Sequence, residues 1–297
     1  MRSIAFLSTD NLEYFVVYDE STYPHFRARG VEVEAVPWRA DVDWSRFDAV
    51  VIRSPWDYQE ESARFLEVLA RIDAVTRLEN DLAIVRWNLD KGYLRDLEVR
   101  GVPIVPTLWV DRWPGGEADD TERAVRGWFE RLDADEVVVK PRVSANADHT
   151  YRLDRLAAAK HQRDLARPFE NRPFMVQPFI PSVVAHGELS LFYFDGGFSH
   201  AVLKTPATGD FRVQEEHGGR IRAVRPDAAA RAVAARALEA LDGSTLYARI
   251  DLVQPPGDPA AWAVMELELI EPSLYFPYDE GSAERFAEAA LSRWRRR

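Results

Sequence analysis

The chain has 297 residues and no cysteine, which excludes disulfides, thiolate metal sites and a cysteine nucleophile. A net charge of −11, with 46% hydrophobic and 29% charged residues, is that of a globular chain. It argues against a nucleic-acid or anionic-membrane surface, and the absence of a spanning-length apolar run or a signal-peptide core leaves a cytoplasmic enzyme or binding protein as the expectation.

In chain order, SIAFLS, VEVEAV and DAVVIRS are short β-rich runs that each fit a buried parallel strand. Between Glu60 and Arg71, Ala63, Phe65, Leu66, Leu69 and Ala70 recur at helical spacing, so the first 80 residues read as a small doubly wound unit. No Gly-x-Gly-x-x-Gly turn follows the first strand, which removes support for dinucleotide binding. The strand end IRSPWDYQE carries Arg53, Trp56, Asp57 and Tyr58. Ligands gather beyond the carboxyl ends of such strands, and an arginine with an aspartate would suit the two charges of an amino acid. Alternatively, Trp56 and Tyr58 simply pack against the next lobe.

A helix is expected over Ala83 to Arg100, closed by Gly101, and then a strand in VPIVPTLWV. DRWPGGEADD is the best linker candidate. An amphipathic helix (Thr121 to Leu132), the strand EVVVKP, a polar loop, a helix and the strand PFMVQPFI follow. ELSLFYF and FSHAVLK flank Asp195-Gly196-Gly197, a hairpin signal that makes this part antiparallel. A helix from Pro226 to Leu241, the strands LYARIDLV and WAVMELELI, and a C-terminal helix complete the chain. Its basic end, SRWRRR, complements the helix dipole. The expected architecture is therefore an α/β lobe followed by a mixed α+β body.

Two of these strands carry acids. Arg249 and Asp251 lie two apart on one face, as do Glu266 and Glu268, while Glu271 sits where Pro272 bends the chain. Carboxylates gathered at one buried strand end repel one another unless a cation holds them, and hard Mg²⁺ suits oxygen ligands. An acid-lined solvent face is the other reading. Arg249 beside the acids favours a phosphoryl clamp. Of 38 basic residues only Lys91, Lys140, Lys160 and Lys204 are lysine. The histidines are scattered, and only His217, before Gly218, is a candidate near substrate.

Over about 200 residues, Asn80 to Ser273, the chain resembles the ATP-grasp ligases. Lys91 in NLDKGYLRDL and Lys140 in VVVKPRVSANADHT match that family's two ATP-contacting lysines, the second ahead of a phosphate-covering loop that includes the small residues Ser144, Ala145 and Asn146. Gln177, Phe179 and Ile180 in VQPFI look like its adenine hinge, and Glu188 in HGELS like its ribose glutamate. Lys204 and Arg212 resemble its phosphate and transfer-site cations; Asp251 and Glu268 match its metal acids, and Arg249 the arginine two before. The family's E-x-N reads here as Glu268-Leu269-Ile270, so Glu271 or Glu266 is the third candidate ligand.

The resemblance implies an ATP-grasp fold: a doubly wound N-terminal lobe with its linker helix (1–110), a central small lobe (111–180) and a C-terminal lobe with the metal site (181–297). It also implies ATP with two Mg²⁺ ions, Mn²⁺ being an acceptable substitute, and a carboxylate activated as acyl phosphate for attack by an amine-type nitrogen. SPWDY, KPRVSA, GDFRVQEEHGG and ELELIEPS, the last with Ser273, most resemble the small cyclo-ligases that close O-ureido-serine to cycloserine. A ligase with a separate amine acceptor, a nucleotide-binding module without catalysis, and a metal-dependent hydrolase are the alternatives. A small amino-acid-like substrate is implied; nothing in the residues fixes an oligomeric state, although such ligases are often dimers.

Overall fold

The computed structural model describes residues 3–13, 15–114, 118–160 and 162–296, with the side chains of 118–120, 159, 160 and 162–164 outside that description. Strands β1 (Ser3–Ser8), β2 (Glu32–Pro37), β3 (Ala49–Ser54) and β4 (Arg77–Glu79) form a parallel sheet in the order β2-β1-β3-β4, with α1 (Tyr23–Arg27) and α2 (Ser62–Asp73) as crossovers. Central β3 is buried at every position, as a parallel strand covered on both faces must be.

The helix expected over 83–100 is two: α3 (Leu82–Asn88) and α4 (Tyr93–Val99). Asp90 accepts the Gly92 N–H at 2.7 Å, and the Lys91 N–H donates to the Arg142 carbonyl at 2.9 Å, outside any helix. Asn88, Asp90 and Gly92 are turn formers, so this local chemistry outcompetes the helical register.

A second sheet comprises β5 (Leu108–Val110), β6 (Glu136–Pro141), β7 (Tyr151–Asp154) and β8 (Phe174–Pro178), antiparallel in the order β5-β8-β6-β7 and backed by α5 (Ala118–Arg131), α6 (Arg155–Lys160) and α7 (Gln162–Phe169). The strand expected over 102–110 splits. Ile104 bridges to Val264 in another sheet, and only Leu108–Val110 pairs here, so this sheet begins before residue 111. Of the linker candidate, 115–117 lie outside the described residues.

After α8 (Ser182–Ala185), the third sheet has β9 (Glu188–Phe194), β10 (Gly197–Thr205), β11 (Arg220–Ala223), β12 (Tyr247–Val253) and β13 (Ala263–Glu268), with α9 (Ala228–Glu239) and α10 (Ser282–Arg296) against it. Its order is β11-β10-β9-β12-β13, antiparallel throughout. Asp195 and Gly196 turn the β9–β10 hairpin at positive φ, as a mirror-image turn requires.

One face of this sheet (Leu189, Leu191, Ile250, Leu252) packs on α9. The other begins apolar: Phe192, Phe194, Val202 and Tyr247 meet Ile4, Phe6 and Phe286. Two residues further along each strand, that same face turns polar with Ser190, Lys204 and Arg249. The C-terminal basic run is not simply a solvated helix end. Arg293 is buried and paired with Glu79 at 3.0 Å and Asp195 at 3.1 Å.

Candidate active site

The strand register brings the charged residues together. Arg249 lies opposite Glu268, Asp251 opposite both Glu266 and Ser190, and Lys204 opposite Glu188. Adjacent strands are about 4.8 Å apart, so these partners touch. Lys204 pairs with Glu188 at 2.6 Å and Asp251 at 3.2 Å, Arg249 with Asp251 at 3.0 Å and also with Glu268, and Ser190 donates to Asp251. Gly187 makes the β9 start possible: it has φ +101°, and a Cβ there would lie 2.7 Å from the Lys204 carbonyl oxygen.

The second sheet closes a cleft over this layer. Val137, Val139 and Val176 face its own helices. Alternation turns Val138, Lys140 and Gln177 to the cleft, which they line. The helix break at Leu89–Gly92 supplies Lys91, whose ammonium reaches Glu266 at 3.0 Å and the Ser144 carbonyl at 2.7 Å. Lys140 is placed differently. Among the described residues its ammonium makes no ion pair, and its hydrogen-bond contact is the Met265 sulfur at 3.9 Å. Beyond it, Ser144, Ala145, Asn146 and Ala147 line the cleft, with Asn146 and Ala147 at φ +51° and +55°. Turning backbone of this kind exposes N–H groups to an anion.

Burial and crowding set the electrostatics. Burial, reinforced by Glu266, Asp251 and Glu271 against the pull of Arg249, pushes Glu268 up to about 8. Burial likewise raises Glu271 to about 7. Burial acts upward on Asp251 too, but Arg249 and Lys204 outweigh it and hold that carboxyl at about 2. Lys140 is lowered, first by burial and then by Lys91, with Glu266 opposing. Among the described residues no three acidic or histidine side chains stand ready-made around a metal position, because the acids are paired with cations. The donor set nonetheless fits a hard divalent ion. Oxygen ligands crowded enough to hold protons are relieved by a dication.

At the hinge, Gln177 is buried and donates to Thr107 at 3.0 Å, while the Phe179 N–H is committed to the Glu136 carbonyl at 2.9 Å. Phe179 and Ile180 line the cleft, as do Glu188, Arg212, Trp56, Tyr58 and Ser273. Ile270 packs in the hydrophobic core with Ile52 and Leu69 and brings no side-chain oxygen to the cleft that it borders, whereas Glu266 and Glu271 line the same cleft with carboxylates. Lys160 ends α6, and its side chain is outside the described ones.

Four expected substrate residues are not among those that line the cleft. Arg53 is 1% exposed, bonded to Asp19 at 2.9 Å and to the Pro272 carbonyl at 3.1 Å. Asp57 accepts from Thr9, Arg39 and the Trp38 indole within the N-terminal lobe. His217 contacts the Asn146 carbonyl at 3.3 Å, and Gly218, at φ +79°, turns the loop without lining the cleft. That loop instead brings in Gln214 and Glu215. The Gln214 side-chain oxygen is buried without a hydrogen-bond partner among the described residues. Glu215 accepts from Tyr18 at 3.1 Å and Tyr278 at 2.8 Å. These partners come from two segments distant from the loop and from each other, so no local spacing could have announced them.

Residues 4–80 match the family model of the D-cycloserine synthetase DcsG N-terminal domain. The chain is 40% identical over 280 residues, 90% of each protein, to the cycloserine biosynthesis protein DcsG of Streptomyces lavendulae. The chain belongs to the DcsG family. The crystal structure of D-cycloserine synthetase DcsG is similar at TM-score 0.83 and 36% identity, covering 98% of this chain and 99% of that one. The fold is shared with D-alanine–D-alanine ligase of Bacillus anthracis, at TM-score 0.71 and 12% identity over 100% and 98% of the two chains. It is also shared with the ATP-grasp ligase PsnB complexed with minimal precursor, at 0.64 and 19% over 98% of each. This DcsG-family chain is thus an ATP-grasp ligase with the ATP-grasp fold. Among its described residues no helix is long and apolar enough to cross a membrane.

Proposed function

We propose that this ligase uses ATP to activate the carboxylate of a small amino-acid-like substrate and closes a ring with a nitrogen of the same molecule, as O-ureido-serine would close to cycloserine. The observation that carries the reading is the paired layer Lys204–Glu188–Asp251–Arg249–Glu268 facing, across one cleft, the ammonium of Lys140, which has no ion pair among the described residues. The 40% identity to a cycloserine biosynthesis protein supports the choice of substrate.

In this reading a carboxylate oxygen attacks the γ-phosphorus and ADP departs with the bonding pair. The nitrogen lone pair then attacks the acyl carbon, phosphate leaves and the nitrogen loses a proton. Gln177, Phe179, Ile180 and Glu188 hold the nucleoside. Lys91 pins the loop at Ser144 to the acid strand, while Lys140, Lys204, Arg212 and Arg249 face the transferring phosphoryl group, where positioning and charge do most of the catalytic work. Asp251, Glu268 and Glu271 would hold Mg²⁺, two ions being the family's expectation and Mn²⁺ a substitute; bound there, the metal supplies neutralisation of phosphate charge. Glu266 is the weaker third candidate because Lys91 already engages it. Trp56, Tyr58, Ser273 and Gln214 line the substrate end.

The test is ADP release with each enantiomer of O-ureido-serine, with chromatographic detection of cycloserine. Turnover on one enantiomer without an added amine supports the reading. ADP release only when a second amine is supplied would overturn the intramolecular step.

A further inference from the structure

β13 ends at Glu268, and the next six residues leave the sheet while passing through the interior. Backbone carbonyls in such a segment must find other donors. Here side chains supply them almost residue by residue. Asn88 donates to the Leu267 carbonyl at 2.8 Å and accepts from the Leu269 N–H at 2.9 Å. Asn80 donates to the Leu269 carbonyl at 2.7 Å, Tyr247 to Ile270 at 2.8 Å, the Trp56 indole to Glu271 at 2.9 Å and Arg53 to Pro272 at 3.1 Å. His200 meets the Leu274 carbonyl at 3.0 Å.

Three of these donors stand at the carboxyl ends of the parallel strands: Arg53 on β3, Trp56 just after it, and Asn80 just after β4. That edge is where a ligand was expected, and it grips a protein segment instead. The gripped segment carries Glu271 and Ser273 directly and continues from Glu268. Its path therefore depends on side chains, of the third sheet at Ile270 and Leu274 and of the N-terminal lobe at Leu269, Glu271 and Pro272, rather than on β-pairing.

We propose that Arg53 and Trp56 are positioning residues. By holding the Pro272 and Glu271 carbonyls, they keep Glu268 and Glu271 aimed into the cleft and tie divalent-cation binding to the N-terminal lobe. The inference rests on the reading of Asp251, Glu268 and Glu271 as the cation ligands.

Trp56→Phe keeps a ring at the cleft wall but removes the indole donor, and Arg53→Lys keeps a cation for Asp19 while losing the fork that serves both partners. Each would be compared with wild type by melting with ADP alone and with ADP plus Mg²⁺, by hydrogen exchange over Leu269–Leu274, and by the Mg²⁺ dependence of ADP release. The expected result is an unchanged stabilisation by ADP alone, a reduced extra stabilisation by Mg²⁺, and faster exchange in that segment. Half-saturating Mg²⁺ should rise by about tenfold in each, with the turnover of Arg53→Lys restored at high Mg²⁺. General structural damage would lower the melting temperature without ligand and leave the Mg²⁺ increment at its wild-type size. Wild-type Mg²⁺ stabilisation and exchange in both variants would overturn the proposal. Asp251→Asn, run in parallel, separates the two readings. If it loses the Mg²⁺ increment while both positioning variants keep theirs, only this inference fails; if it keeps the increment, the ligand assignment itself fails.

Discussion

Lys91 and Lys204 each meet a carboxylate at 3.0 Å or closer, whereas Lys140 faces the cleft without an ion pair among the described residues. A compact ammonium on a flexible stem can follow a phosphate as it moves, which a planar guanidinium with a preferred bidentate pose does less well. Lys140→Arg is therefore expected to lower turnover roughly 100-fold, the scale for removing one well-placed stabilising donor. Its melting temperature should stay close to wild type, because no ion pair is broken. Wild-type rates in an ADP-release assay would remove Lys140 from the transfer site. Gly187 is the second residue whose identity is forced. Gly187→Ala must move its side chain off the Lys204 backbone at a positive φ, and should cost about 1–3 kcal/mol by urea titration.

Among the elements, the loop from Pro206 to Gly219 depends most on distant partners. It lines the cleft through Phe211 to Glu216 and is held to the rest of the chain by Tyr18 and Tyr278 on Glu215. Gly219 closes it tightly: a Cβ there would sit 2.1 Å from the Val213 carbonyl oxygen. Removing both phenol donors, with Tyr18→Phe and Tyr278→Phe together, should raise KM for the amino-acid substrate about 10-fold and speed proteolysis within this loop. That size follows from two hydrogen bonds to a charged group, discounted for partial exposure. The melting temperature should change little, since both rings remain. Such a loop illustrates what local reading misses: GDFRVQEEHGG marked a site segment, but pointed to His217 and Gly218 where the structure brings in Gln214 and Glu215. The hairpin, the lysine-bearing strands and the acid strands were legible because period-two alternation and turn residues are local signals. The break between α3 and α4 was less so, because a capping turn competes with a helical pattern of similar strength.

For the molecule as a whole, the third sheet joins an apolar core to a charged site on a single face, and His200 sits near that junction. It is 4% exposed, stacked on Phe192 at 4.3 Å and bonded to the Leu274 carbonyl, and burial takes it from its ordinary 6.5 down to about 4. Between those values the unfolded chain binds a proton that the folded chain refuses. His200 thus costs no stability above about pH 6.5, and stability falls as pH drops from there towards 4, by on the order of 3 kcal/mol in total. Urea unfolding at pH 7, 5.5 and 4.5 checks this, and His200→Gln, which retains an amide donor for Leu274, should flatten that part of the profile. A second prediction at this scale concerns Arg293 on α10, which reaches buried Glu79 at the end of β4. Arg293→Ala should lower stability by about 3–5 kcal/mol by calorimetry or denaturant titration, because it removes the guanidinium beside a buried carboxylate.

The short strands β4, β7 and β11 and the helix α8 were not determined by the sequence alone, whereas most of the longer strands and helices, the four scarce lysines and the paired acids of YARIDLV and MELELIEPS were. Each rests on periodicity, turn chemistry or residue type within a few positions, and together these carried the family resemblance that 40% identity to a DcsG protein establishes. What the tertiary structure alone decided is which polar side chains face a ligand and which serve the backbone. Arg53 and Trp56 look alike as candidates in IRSPWDYQE, yet each donates to a carbonyl more than 200 positions away. A buried segment outside a sheet must satisfy its carbonyls from whatever packs against it, and packing across the chain leaves no trace in local spacing.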